Sequence, residues 1–296
     1  MSQLYDRVGS ARIESLVWLA FLIMIGACAN KDVQPSQAVN NQPAASGPLS
    51  RTTTDMPDNN SREYQVKIVY ALPSDGIDRA LDTDGTIGRS VGSFQQWLDA
   101  QSGGKRFRVD TFRGRLDILF FRMSQTDAAI SATGPSVRDE IEKEIRAASF
   151  FNPMKLYAVY YDGRSTYACG GGAWPPKLPG HVAALYLQGA PRGDPPCSPI
   201  QFAPSESQPR YWEFSMIHEI FHSLGIVAPC APNHVLDGHV WDDPKDLMYK
   251  GVEPWSPSKL DTNRDDYFTH GKQCLDLANS VFITPTGPGA MPPPSW

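Results

Sequence analysis

Apolar positions recur through the middle of the chain with two periods. Tyr64 to Ala71 alternates and predicts a first strand. Ile87, Val91, Phe94 and Leu98 share one helical face, so a helix is predicted from Ile87 to about Gln101, closed by Gly103-Gly104. One or two strands are predicted between Arg106 and Met123, at Phe107 to Asp110 and Leu116 to Phe121. A helix from Ser136 to about Phe150 follows, with Glu140 and Glu142 near its start. Leu156 to Tyr161 and Val182 to Leu187 are short apolar strands. The last helix runs from about Tyr211 to Leu224 and buries a stripe of Phe214, Ile217, Phe221 and Leu224. It ends near Gly225, with Pro229 and Pro232 beyond. Strands alternate with helices early, and a loop-rich part follows. The predicted class is α/β (α+β): one domain with a mixed sheet, helices and an irregular C-terminal part. Strand order is not read from this pattern.

The two ends differ from that middle. Leu16 to Ala27 is apolar but short of the roughly 20 residues that span a bilayer, and suits the h-region of a signal peptide. Ile25-Gly26-Ala27-Cys28 resembles a bacterial lipobox, in which Cys28 becomes the lipidated first residue. Ala27-Cys28-Ala29 also fits ordinary secretion, and an uncleaved anchor is a third reading. Each puts the mature chain outside the cytoplasm. Ala29 in the second position favours an outer-membrane lipoprotein of the cell envelope, by resemblance to lipoprotein sorting; the alternative is a secreted protein. The expected organisation is a signal peptide over 1–28, a disordered tether over 29–62, the domain over 63–283 and a Pro-rich tail over 284–296.

The 296 residues are 41% hydrophobic and 20% charged, enough for one sizeable core. A formal charge of -5 offers no basic footprint for nucleic acid. Gly170-Gly171-Gly172 lacks the Lys and the strand-helix context of a phosphate loop, and no serine-hydrolase elbow occurs. Of five Cys, four remain once Cys28 is set aside, and an even count in an exported chain implies disulfides. Three pairings are possible. Cys169 with Cys197 and Cys230 with Cys274 are favoured, and no CxxC spacing suggests that these Cys bind zinc.

The candidate chemistry sits on the last helix. Four of the six His lie between His218 and His239. In His218-Glu219-Ile220-Phe221-His222 two imidazoles four residues apart point the same way and can share one metal ion. Glu219 beside them can take a proton from water at that ion. Ser223-Leu224-Gly225 completes HExxHxxG, and Asp246-Leu247-Met248-Tyr249 lies downstream.

On these residues the chain resembles a metzincin-like zinc metallopeptidase, closely from His218 to about Tyr249 and loosely elsewhere. The resemblance implies a catalytic zinc, Glu219 as general base, Met248 as the Met-turn, and a protein or peptide substrate. The chain departs from the family where the third His is expected, three residues after the Gly, because Ala228 stands there. An enlarged loop is expected instead, with His234 as third ligand and His239 as the alternative. Asp243 or Asp246 is expected to orient an imidazole. The family's Tyr lies two residues past the Met; here Tyr249 is adjacent, and Tyr267 is the alternative helper in the transition state. Asp265, Asp266, Tyr267 and His270 form a second polar cluster that lines the cleft, binds a cation such as calcium, or is simply solvated. The strand at Val182 to Leu187 is expected either to present an edge to an extended peptide or to be internal. Two other functions fit the residues: a non-catalytic zinc-binding envelope lipoprotein with a closed four-ligand site, and a zinc amidase acting on cell-wall material.

Overall fold

The computed structural model describes residues 50–287 except 56, 58, 60, 61, 190–200 and 272. Strand β1 (Gln65–Leu72) is buried along its whole length. It pairs in parallel with β2 (Ile118–Arg122), with Ile68 opposite Ile118, and with β3 (Lys155–Tyr161), with Val66 opposite Leu156. Strand β5 (Val182–Tyr186) adds in parallel beside β3. Strand β4 (Gly170–Gly172) closes the sheet as an antiparallel edge, giving the order β2-β1-β3-β5-β4. The sheet is therefore mixed and the class α/β.

Both faces are covered, which is why β1 carries apolar residues on each side. Val66, Ile68 and Tyr70 pack under helix α1 (Thr86–Ser102) and helix α3 (Tyr211–Ser223). Val69 and Ala71 face helix α2 (Val137–Ala147), with Ile141 and Ile145 in the same cluster. The predicted stripe of α1 is buried, and the helix ends where Gly103 turns left-handed at φ 74° and donates its N–H to the Asp99 carbonyl. Helix α2 stops three residues before the predicted Phe150, because Ala148 is already extended. Val182 to Leu187 forms an internal strand between β3 and β4, so the free edge belongs to the three glycines. Phe107 to Asp110 makes only a short pairing, in which Arg106–Phe107 meets Ile283–Thr284.

The ordered domain reaches beyond both expected boundaries. Upstream of residue 63, Arg51 bonds Asp82 through two nitrogens at 2.7 Å each and lies 3.9 Å over the Phe120 ring. The Thr52 carbonyl accepts the Phe120 N–H at 2.8 Å. Asp55 accepts from Lys67 and Lys155, each at 2.8 Å. Polar composition hides this docking, because it is made through ion pairs and a backbone hydrogen bond rather than apolar side chains. Lys67 and Lys155 are buried on the sheet and need counter-ions, which Asp55, Asp110 and Asp117 supply. Downstream, Thr284 pairs with Arg106, and the Thr286 hydroxyl accepts from Arg108 at 3.0 Å.

Cys230 and Cys274 are joined, tying the loop after α3 to the C-terminal part across a Cα separation of 5.9 Å. Cys169 is also disulfide-bonded; its expected partner Cys197 lies outside the described residues, as do Cys28 and the signal-peptide segment. Among the described residues no helix is long and apolar enough to cross a membrane.

Candidate metal centre

Helix α3 is fixed at both ends. At its start Glu213 accepts the Arg210 N–H at 2.9 Å and the Ala203 N–H at 3.1 Å, and its other oxygen accepts from Ser90 of α1 at 2.6 Å. At its end Gly225 takes φ 71° and donates to the His222 carbonyl at 2.8 Å, while Ile226 donates to Phe221 at 2.9 Å. Ile217, Phe221 and Leu224 are buried as the stripe predicts, whereas Phe214 is half-buried against Trp97. The polar face is thereby held towards the edge strand and the loops.

Three imidazoles converge there. His222 Nε2 lies 3.0 Å from His218 Nε2 and 3.1 Å from His239 Nε2. His218 Nδ1 donates to the Leu247 carbonyl at 2.8 Å, and His239 Nδ1 donates to the Leu236 carbonyl at 3.2 Å. Carbonyls only accept, so both Nδ1 atoms carry the proton and both Nε2 lone pairs face inward. His222 has one proton to share between them, and its enclosed Nδ1 has no partner among the described residues. A cation removes this conflict. Tetrahedral zinc with nitrogen ligands at about 2.0–2.1 Å spaces its donors by about 3.3 Å, close to the two separations found. The donor set therefore fits zinc.

The expected third ligand is placed differently. His239, not His234, stands against the helix pair. His234 begins strand β6 (His234–Val235), and its ring stacks on Trp174 with centroids 5.8 Å apart. His239 begins β7 (His239–Val240), antiparallel to β6. Between them Asp237 and Gly238 take φ 62° and 72°, turning the chain back on itself. The Asp-Gly pair was the available signal for this ribbon.

Desolvation lowers His218 to about 4 and His239 to about 3, and carries His222 well below the usual imidazole range; the Lys250 charge acts in the same sense on all three. Desolvation by burial raises Glu219 to about 8, with the Gly172 N–H pulling the other way. The triglycine strand packs closely against this helix. A Cβ on Gly170 would lie 2.8 Å from Glu219 Oε1, and one on Gly172 would lie 2.3 Å from the Glu219 carbonyl oxygen. Only glycine lets β4 approach the helix this closely.

The downstream residues support the site from below. Met248 is fully buried. Asp246 accepts the Met248 N–H, the Thr262 N–H and the Tyr267 hydroxyl, each at 2.8 Å, which fixes the turn whose Leu247 carbonyl holds His218. Trp255 donates to that carbonyl at 3.1 Å, with its ring 5.6 Å from His218. Backbone carbonyls orient the imidazoles, and they leave no trace in side-chain identity. Asp243 is engaged with Thr262 and the Lys245 N–H instead. Tyr249 accepts from the Glu253 N–H at 3.2 Å, and Tyr267 is buried with its hydroxyl on Asp246. Asp265 and Asp266 converge with Asp242 and are gathered by Asn233. His270 bonds the Leu275 carbonyl at 3.2 Å.

No family model and no curated protein matches the chain. Among solved structures it is similar to archaemetzincin from Methanopyrus kandleri, at 13% identity over 62% of this chain and 81% of that one, with a TM-score of 0.33. It is also similar to OgpA from Akkermansia muciniphila. The catalytically inactive form, solved with an O-glycopeptide substrate, gives 16% identity over 62% of this chain and 52% of that one, TM-score 0.32. The wild-type form gives 18% identity over 76% of this chain and 63% of that one, TM-score 0.34.

Proposed function

We propose that this chain is a zinc-dependent metallopeptidase that works outside the cytoplasm, in the cell envelope as a lipoprotein or after secretion. The observation that carries the reading is the convergence of His218, His222 and His239 beside Glu219. Three protein nitrogens leave one coordination position for water or substrate, as catalytic zinc sites do. His234, which a closed four-imidazole site would require, is stacked on Trp174 instead. That favours catalysis over a purely structural ion.

Zinc, when bound, supplies Lewis acidity and makes water a nucleophile near neutral pH. Glu219 holds the proton that the attacking water gives up and returns it to the leaving amine. Burial raises the carboxyl to about 8 in the metal-free chain, and the charge of a bound cation would act in the opposite sense, favouring the carboxylate that the base role needs. His218 and His239 are held in one tautomer by Leu247 and Leu236, so their Nε2 atoms stay available. The triglycine edge strand lies against Glu219 and the β6–β7 ribbon carries His239, and the proposed path of the peptide runs between them. The lipid anchor and the envelope address rest on the lipobox-like run ending at Cys28.

The test is hydrolysis of a generic protein substrate by the zinc-loaded mature chain, with and without chelator, beside Glu219→Gln. Chelator-sensitive cleavage lost in Glu219→Gln, with zinc retained at one per chain, is the expected result. Turnover retained in Glu219→Gln overturns the assignment of the base.

A further inference from the structure

Opposite the catalytic helix, the ribbon that carries His239 bears an uneven set of charges. Asp237, at its turn, faces two ammonium groups: Lys177 Nζ at 3.0 Å and Lys250 Nζ at 3.8 Å. All three side chains are more than half exposed, at 59%, 57% and 55% for Lys177, Lys250 and Asp237. One carboxylate thus serves two cations, on a chain whose formal charge is -5. Lys250 is not a loose surface residue in its backbone. Its N–H donates to the Val240 carbonyl at 2.8 Å, one residue from His239, so its side chain springs from the wall of the metal site. Leu236 and Trp241, on the same ribbon, are exposed at 73% and 61%.

We propose that Lys250, helped by Lys177, accepts a substrate carboxylate at the rim of the metal site, so that the enzyme selects peptides with an acidic group beside the bond it cuts. The proposal rests on the hydrolase reading above. Asp237 holds the two ammonium groups in place while the site is free. Because these ion pairs are open to water, a substrate carboxylate exchanges for Asp237 at Lys250 without a buried charge being stranded. The carboxylate comes from an Asp or Glu side chain or from the C-terminus of the peptide, and the ribbon's exposed Leu236 and Trp241 offer apolar contact next to it.

The experiment uses the zinc-loaded chain and a peptide set that differs at one position near the scissile bond: Glu, Gln or Lys, each with a free or amidated C-terminus. For the wild type, kcat/KM is expected to be about three- to tenfold higher for a carboxylate than for its neutral amide. That ratio should collapse in Lys250→Gln, invert in Lys250→Glu, and return in Lys250→Arg. Preference tied to the side chain or to the free C-terminus tells the two sources apart. An equal ratio in wild type and Lys250→Gln overturns the proposal. If no peptide is cut, the hydrolase reading fails separately, and binding of the same peptides to zinc-loaded Glu219→Gln is measured by fluorescence anisotropy. A carboxylate preference lost in Glu219→Gln/Lys250→Gln supports the rim, and equal affinities across the set overturn it.

Discussion

Gly172→Ala tests how tightly the edge strand and the helix that carries His218 and His222 are fitted together. A methyl at this position would lie 2.3 Å from the Glu219 carbonyl oxygen and 2.7 Å from His222 Cβ. Ordinary contact begins near 3.4 Å, so strand and helix must part by about 1 Å. Neither neighbour is a flexible side-chain end; both belong to the framework of α3. Overpacking of this kind costs about 1–3 kcal/mol, which for a domain of this size is a melting drop of about 3–10 °C. His222 sits on the displaced turn, so zinc affinity should weaken as well, by about 10–100-fold, the scale seen when the support of a ligand is disturbed. Thermal melts of the metal-free protein and competition titration with a zinc chelator read the two effects. Gly88→Ala is the control, since a methyl there meets nothing within 4 Å inside α1 and should stabilise by about 0.5–1 kcal/mol. A Gly172→Ala protein that melts and binds zinc like the wild type would refute the claimed fit.

Two further outcomes are expected. In metal-free protein the imidazoles have folded pKa values below the unfolded 6.5, so below pH 6.5 the unfolded chain binds more protons; their contribution to stability is present above pH 6.5 and is lost as pH falls through about 4 for His218 and about 3 for His239. Denaturant melts between pH 7 and pH 4 should therefore show a shallower loss in His239→Gln than in the wild type, and equal slopes would contradict the burial argument. Asp55→Ala removes one acceptor shared by two buried lysines and should lower unfolding stability by about 1–3 kcal/mol in urea melts; an unchanged midpoint would mean that Asp55 is not needed as their counter-ion.

What the sequence revealed tracks periodicity. Ile87, Val91, Phe94 and Leu98 marked α1 because one face of that helix packs on the sheet. The i, i+4 spacing of His218 and His222 likewise marked two of the three imidazoles that converge. The rest depended on long-range geometry. Gly170–Gly172 has no strand propensity, and its role comes from the closeness of α3, which no local pattern records. His234 and His239 are both near enough in sequence to return to the helix. The choice between them is made by the left-handed turn at Asp237 and Gly238 and by Trp174, which stacks on His234. Asp246, noted only as one possible orienter, acts through main-chain atoms. It binds the Met248 N–H and so places the Leu247 carbonyl that holds His218.

The central claim is that His218, His222 and His239 together grip one divalent ion. Zinc stoichiometry and affinity of the wild type, His239→Ala and His234→Ala, measured side by side by chelator competition, address it most directly. The account predicts one zinc per chain in the wild type, near-normal affinity in His234→Ala, and a loss of about 100-fold or more in His239→Ala. A wild-type chain that stays free of zinc, or a His239→Ala protein that keeps its zinc while His234→Ala loses it, would contradict the account.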